Sequence, residues 1–160
     1  MTLFPPKYLL PGAMVAMLLV SQAAVAALGD KPLSQGAALP ASVKALKSTS
    51  IAAAAGYTAQ TIELHSGTLV TEFVDTSGTV FAVSWTGPVL PDFGVILGSS
   101  VDAFNTQAQT ARQAGKRGGT FGFDANGLVV VSAGHMRSFH GFAYLAARVP
   151  SGVDIHNLVH

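Results

Sequence analysis

The chain has 160 residues, 49% hydrophobic and 11% charged, with nine Lys or Arg against eight Asp or Glu and no cysteine. So small a net charge leaves no electrostatic footprint for nucleic acid or a strongly anionic partner, and the missing thiols exclude disulfide staples and thiolate metal sites. One core of ordinary size must hold the fold by packing alone.

Residues 1–26 read as a secretory signal peptide: Lys7 supplies a positive start, Leu9 to Val20 is apolar and uncharged, and Ala24-Val25-Ala26 has the small-x-small form of a cleavage site. Cleavage is expected between Ala26 and Ala27. The apolar run is shorter than the roughly 18–20 residues that cross a bilayer and is interrupted by Pro11 and Gly12, so no membrane span is expected after cleavage. The expected location is periplasmic or secreted. Loss of Lys7 leaves basic and acidic residues in balance, and the leader inflates the mean hydropathy of +0.45.

Residues 27–56 are expected to form a flexible arm and a short helix. Gly29, Pro32 and Gly36 break any period in the arm, and Pro40 suits the first turn of a helix over Ala41–Ser48, where Val43, Leu46 and Lys47 fall at helical spacing. Residues 57–160 read as a single α+β domain. It begins with three strands rich in Thr, Val, Ile and aromatics, "YTAQTIELH", "TLVTEFVD" and "TVFAVSW", separated by the turn compositions "SG" and "DTSG". Short turns imply an antiparallel meander. The two-residue period puts Phe81, Val83 and Trp85 on one face, and Glu63 and Glu72 are read as solvent-facing charges.

Pro88 and Pro91 end the sheet run. Asp92 then opens the best helical pattern in the chain, to Gln113, with Phe93, Ile96, Leu97, Val101, Phe104, Ala108 and Ala111 at intervals of three and four. Gly98 predicts a kink or a close approach to the sheet. "AGKRGGTFGFDANG" reads as a mobile basic connection, and "LVVVSAGHM" with "SFHGFAYLAA" as two further strands. The predicted architecture is an antiparallel sheet of about five strands, β-β-β-α-β-β, with one long helix packed on one face. Val83, Trp85, Phe93, Leu97, Val101, Phe104, Val131 and Tyr144 are its predicted core.

The residues with most chemical potential are His135, Arg137 and His140, in "GHMRSFHGFAYL". If Arg137 and Ser138 form the tip of a hairpin, His135 opposes His140; Arg-Ser is a poor two-residue turn, however, and a loop shifted by one residue moves every partner. Two histidines are too few for a metal site, and His65, His156 and His160 have no acidic neighbour at a motif spacing. No G-x-S-x-G elbow, P-loop or paired-carboxylate setting exists, so no catalytic residue, metal or cofactor is assigned.

With "SGTLVTEFVDTSGTVFAVSWTGPVLPDFGVILGS" and "GLVVVSAGHMRSFHGFAYL" in view, the chain resembles the DUF2844 family of exported bacterial proteins of unknown function. The start at "ALG", the "YT" before the first strand, "VFAVSW.GP..PD" and "GHMR.F.G.AYL" carry the resemblance, which brings no enzyme, cofactor or partner with it. Taken together, the expectation is a non-catalytic binding or accessory module of the bacterial cell envelope, whose contact surface is the uncovered sheet face or the His135–Gly141 turn. Its partner is unknown, with another envelope protein or an envelope polymer as candidates. The alternative is a small envelope hydrolase or metal-binding protein using His135, Arg137 and His140.

Overall fold

The computed structural model describes residues 28–35, 43–51, 56–115 and 120–158, with the backbone alone over 44–51. The expected leader therefore lies outside the described residues, as do residues 116–119 of the basic connection and His160.

Among the described residues seven strands form one antiparallel sheet. In chain order they are β1 (Val43–Ile51), β2 (Tyr57–Leu64), β3 (Leu69–Asp75), β4 (Val80–Gly87), β5 (Phe121–Ala125), β6 (Leu128–His135) and β7 (Ser138–Leu145). In space their order is β1-β2-β3-β4-β7-β6-β5, so the chain runs in a meander to β4, crosses to the far edge and returns until β7 lies beside β4. The crossing is made by α1 (Phe93–Leu97), a single tight turn at Gly98–Ser100 and α2 (Val101–Gln113). The α+β class and the helix on one face hold, and β1 and β5 extend the sheet at its two edges.

Both edge strands correct the sequence expectations. The short helix predicted for Ala41–Ser48 is strand β1, paired to β2. An eight-residue helix is marginal in isolation, whereas the edge of β2 offers a ready ladder to "KSTSI", whose Ser, Thr and Ile suit a strand. The connection expected to be mobile contains β5, joined to β6 through Asn126 and Gly127 at φ 54° and 78°. That Asn-Gly pair supplies the two positive φ angles of a tight hairpin turn.

The helical stretch breaks where Gly98 adopts φ 49°, and it begins where the Asp92 carboxylate accepts the Gly94 N–H at 2.8 Å. Beneath it, the main core gathers Ile62, Leu64, Val70, Val80, Val83, Trp85, Ile96, Leu97, Leu128, Val130 and Ala143, with Phe93, Val101 and Phe104 packed against them. The expected arm contributes two further fully buried anchors, Leu28 and Leu33. It is pinned by main-chain bonds from Leu28 N–H to Ile96 O and from Gly29 N–H to Val80 O.

A bulge changes the face of one predicted core residue. Phe73 pairs with Ala82 but Val74 with Val80, leaving Phe81 as the extra residue on β4. Val83 and Trp85 stay on the helix side; Phe81 turns to the opposite side and joins Ala59, Phe73 and Ala82. There Val149, Val153, Ile155 and Leu158, from the segment ending in α3 (Ile155–Leu158), pack over them with Tyr57 and Tyr144. Val131 belongs to neither cluster. Leu128 and Val130 take the helix side of β6, so the alternation of the strand sends Val131 to the other.

The two halves of the sheet meet where Trp85 on β4 pairs with Gly141 on β7. A Cβ at Gly141 would stand 2.5 Å from the indole and 2.3 Å from the Val131 carbonyl oxygen. Gly141→Ala is therefore expected to lower unfolding free energy by about 2–3 kcal/mol, as overpacking does. Urea denaturation measures it; an unchanged midpoint would remove Gly141 from this role.

Candidate functional site

The hairpin holding His135, Arg137 and His140 has Met136 and Arg137 at its tip. His135 pairs with Ser138, and His140 lies between Ala133 of β6 and Thr86 of β4. The loop thus sits one residue earlier than an Arg-Ser tip requires, and the two imidazoles do not oppose each other. The cause lies in the strands: the Trp85–Gly141 contact fixes β7, and Gly134, at φ 132°, lets β6 approach the Phe139 Cα more closely than any side chain would permit.

Arg137 is exposed at φ 66°, a left-handed conformation that an L residue with a side chain resists. His135 is exposed, with Nδ1 3.4 Å from the Met136 carbonyl. Among the described residues no group of three or more His, Asp or Glu is placed to hold a metal. The three residues share a hairpin without converging on a pocket.

His140 instead joins a different feature. Beside the segment that covers Phe73 and Phe81, the described residues of the same face form a groove of about 640 Å³. The alternation of four strands brings Thr61, Thr71, Ser84, Thr86, His140 and Phe142 into it, with Leu69, Val131 and Leu158 at its margins. The Thr61 and Thr71 hydroxyls bond to each other at 3.0 Å. Phe142 stacks with Tyr144 at 6.2 Å between ring centroids. Among the described residues no Asp, Glu, Lys or Arg lines the groove.

The helix side holds a residue whose environment sequence reasoning missed. Glu72, expected to face solvent, is only 1% exposed. It alternates with Val70 and Val74 along β3 and so points under the helices and the N-terminal segment. The Leu33 N–H lies 3.2 Å from both carboxylate oxygens, and Gln60 Nε2 donates to Oε2 at 2.6 Å. Burial outweighs these bonds and raises the carboxyl to about 7 from an ordinary 4.5. The signal was the flanking valines, whose two-residue period places Glu72 on their face.

The fold and groove define a seven-stranded α+β domain with one covered and one half-open sheet face. The chain belongs to the family described as "Protein of unknown function (DUF2844)", whose family model matches residues 24–158. No curated protein and no solved structure matches it. No helix among the described residues is long and apolar enough to cross a membrane.

Because Glu72 has its folded pKa raised, the stabilisation from its neutral form is complete below about pH 4.5 and is lost as pH climbs through about 7. Asp75 acts outside that window. Its partial burial pushes its carboxyl up, but hydrogen bonds from Ser77 and Thr79 and the charge of Arg148 outweigh this and hold it below its ordinary 3.8. Unfolding free energy should therefore fall by about 2–3 kcal/mol from pH 4.5 to pH 8, and Glu72→Gln should flatten the decline. Denaturation across that range checks it, and equal slopes for the two proteins would contradict it.

Proposed function

We propose that this DUF2844 protein is an exported, non-catalytic binding module of the bacterial cell envelope. Its contact surface is the groove, and the occupant is the hydroxyl-rich glycan strand of an envelope polymer, engaged through its uncharged sugar faces. The observation that carries the reading is the lining. Four Thr and Ser hydroxyls project beside Phe142 and His140, with no formally charged side chain among them. A hydroxyl both donates and accepts, so such a row matches sugar hydroxyls in either sense, while a ring supplies a flat apolar platform for C–H faces. Arg137 and His135 are exposed on the same hairpin as His140.

Export is supported by the leader pattern and by the first anchor of the fold. Leu28, two residues past the expected last leader residue Ala26, is fully buried and bonded to Ile96 O through its N–H.

Two measurements test this reading. Purified peptidoglycan sacculi should pull the protein down in a sedimentation assay, and the bound fraction should persist at about 1 M salt, where charge attraction is screened within about 3 Å. Phe142→Ala should reduce binding by about tenfold, corresponding to roughly 1.4 kcal/mol. Retention that vanishes in salt, or that ignores Phe142→Ala, would overturn the groove as the contact surface. N-terminal sequencing of the exported protein should begin at Ala27; a chain that keeps residues 1–26 would refute cleavage.

A further inference from the structure

On the helix side, between the second half of α2 and strands β5, β6 and β7, lies a cavity of about 340 Å³. It exists because the facing residues are small: Ala108 and Ala111 on α2 stand opposite Ser132 and Gly134 on β6. Nothing larger replaces Gly134, since a Cβ there would stand 2.2 Å from the Ser138 carbonyl oxygen. As a result α2 has no fully buried residue, although Phe104, Ala108 and Ala111 line the space between it and the sheet.

Aromatic rings build the walls. Phe93 and Phe104 lie 4.4 Å apart, Phe104 and Phe121 5.9 Å apart, and Phe139 closes the side toward the hairpin. Among the described residues one charged side chain lines the cavity, that of Arg112, and none of them forms an ion pair with it. Its place in the last turn of α2 complements the helix dipole, but that role requires no cavity. Thr120 and Ser132 add hydroxyls.

We propose that this cavity binds a small amphipathic monoanion, with a slender apolar body among the phenylalanines and a carboxylate on the Arg112 guanidinium. The volume falls at the lower end of the roughly 300–1,000 Å³ of ligand pockets. At about 30 Å³ for each water-sized unit it accommodates roughly a dozen non-hydrogen atoms, the size of a medium-chain fatty acid. An apolar body gains from leaving water, and a guanidinium holds a carboxylate through two parallel N–H donors. The site lies on the helix side of the sheet and is independent of the groove.

Calorimetric titration of the purified exported chain with decanoate, and with decanol as the uncharged analogue, tests the assignment. Decanoate should bind one per chain. Arg112→Gln should weaken decanoate by about tenfold or more while leaving decanol unchanged. Ala108→Phe, which fills the cavity, should abolish binding of both without lowering the melting temperature, and Ala111→Leu serves if that variant does not fold. Failure of the unaltered chain to bind decanoate overturns the proposal, as does equal binding by the cavity-filling variant. Equal weakening of both ligands by Arg112→Gln removes Arg112 as the anion partner and overturns it as well.

Discussion

The contact between the Trp85 indole and the bare backbone of Gly141 is the constraint on which the other parts depend. β4 and β7 are far apart in sequence and adjacent in space, and their ladder alone joins the β1–β3 half of the sheet to the β5–β6 half. A large ring needs a flat seat, and only glycine leaves room for one between the indole and the Val131 carbonyl. Once this register is set, Ala143 falls on the helix side with Val130, and His140 and Phe142 fall on the other. Phe93 then packs edge-on to the indole at 5.3 Å, which carries the same constraint into α1.

The two sheet faces dispose of apolar surface differently. On one, helices and the N-terminal segment bury a continuous cluster running from Leu28 to Ala143. On the other, the segment from Val149 to α3 covers Phe73 and Phe81, Leu158 being the last residue described. Ala59, Phe73, Phe81 and Ala82 lie beneath that segment, whereas Thr61, Thr71, Ser84 and Thr86 mix hydroxyls with Phe142 and Val131 in the groove. Threonines at the open positions keep β-branched strand propensity while remaining compatible with water.

Much of this organisation was legible in the chain. Three strands with period-two patterning, the capped helix start at Asp92 and the break at Gly98 all follow from local chemistry, and local chemistry decides them. What escaped depends on non-local partners. "ASVKALKS" has a helical spacing, but the free edge of β2 outcompetes a helix of two turns. Phe81 has the parity of Val83 and Trp85, yet a bulge absorbs one residue and reverses it. Of the candidate site residues, the sequence could place all three on one hairpin. It could not fix their partners, because the register comes from Gly141 and Gly134 rather than from the tip. The Asn126-Gly127 turn was a local signal, obscured by the glycines around it.

Glu72 connects the N-terminal segment to the rest of the fold. A carboxylate between Val70 and Val74 is costly to bury, and its partners come from two places: Gln60 on the neighbouring strand and the Leu33 N–H of the segment 28–35. Gln60 also binds Ser34 through its side-chain oxygen at 2.9 Å, so the segment is tied to the amide and to the acid together. In a domain without disulfides, a segment held by two leucines and a few hydrogen bonds needs such a specific address. Apolar packing alone would seat Leu28 and Leu33 in any matching recess, whereas the carboxylate accepts only a chain whose N–H arrives at Leu33. The buried acid thus contributes position more than strength. Its neutral form is compatible with burial while its charged form opposes it, and the bonds from Leu33 and Gln60 offset part of that opposition by favouring the carboxylate.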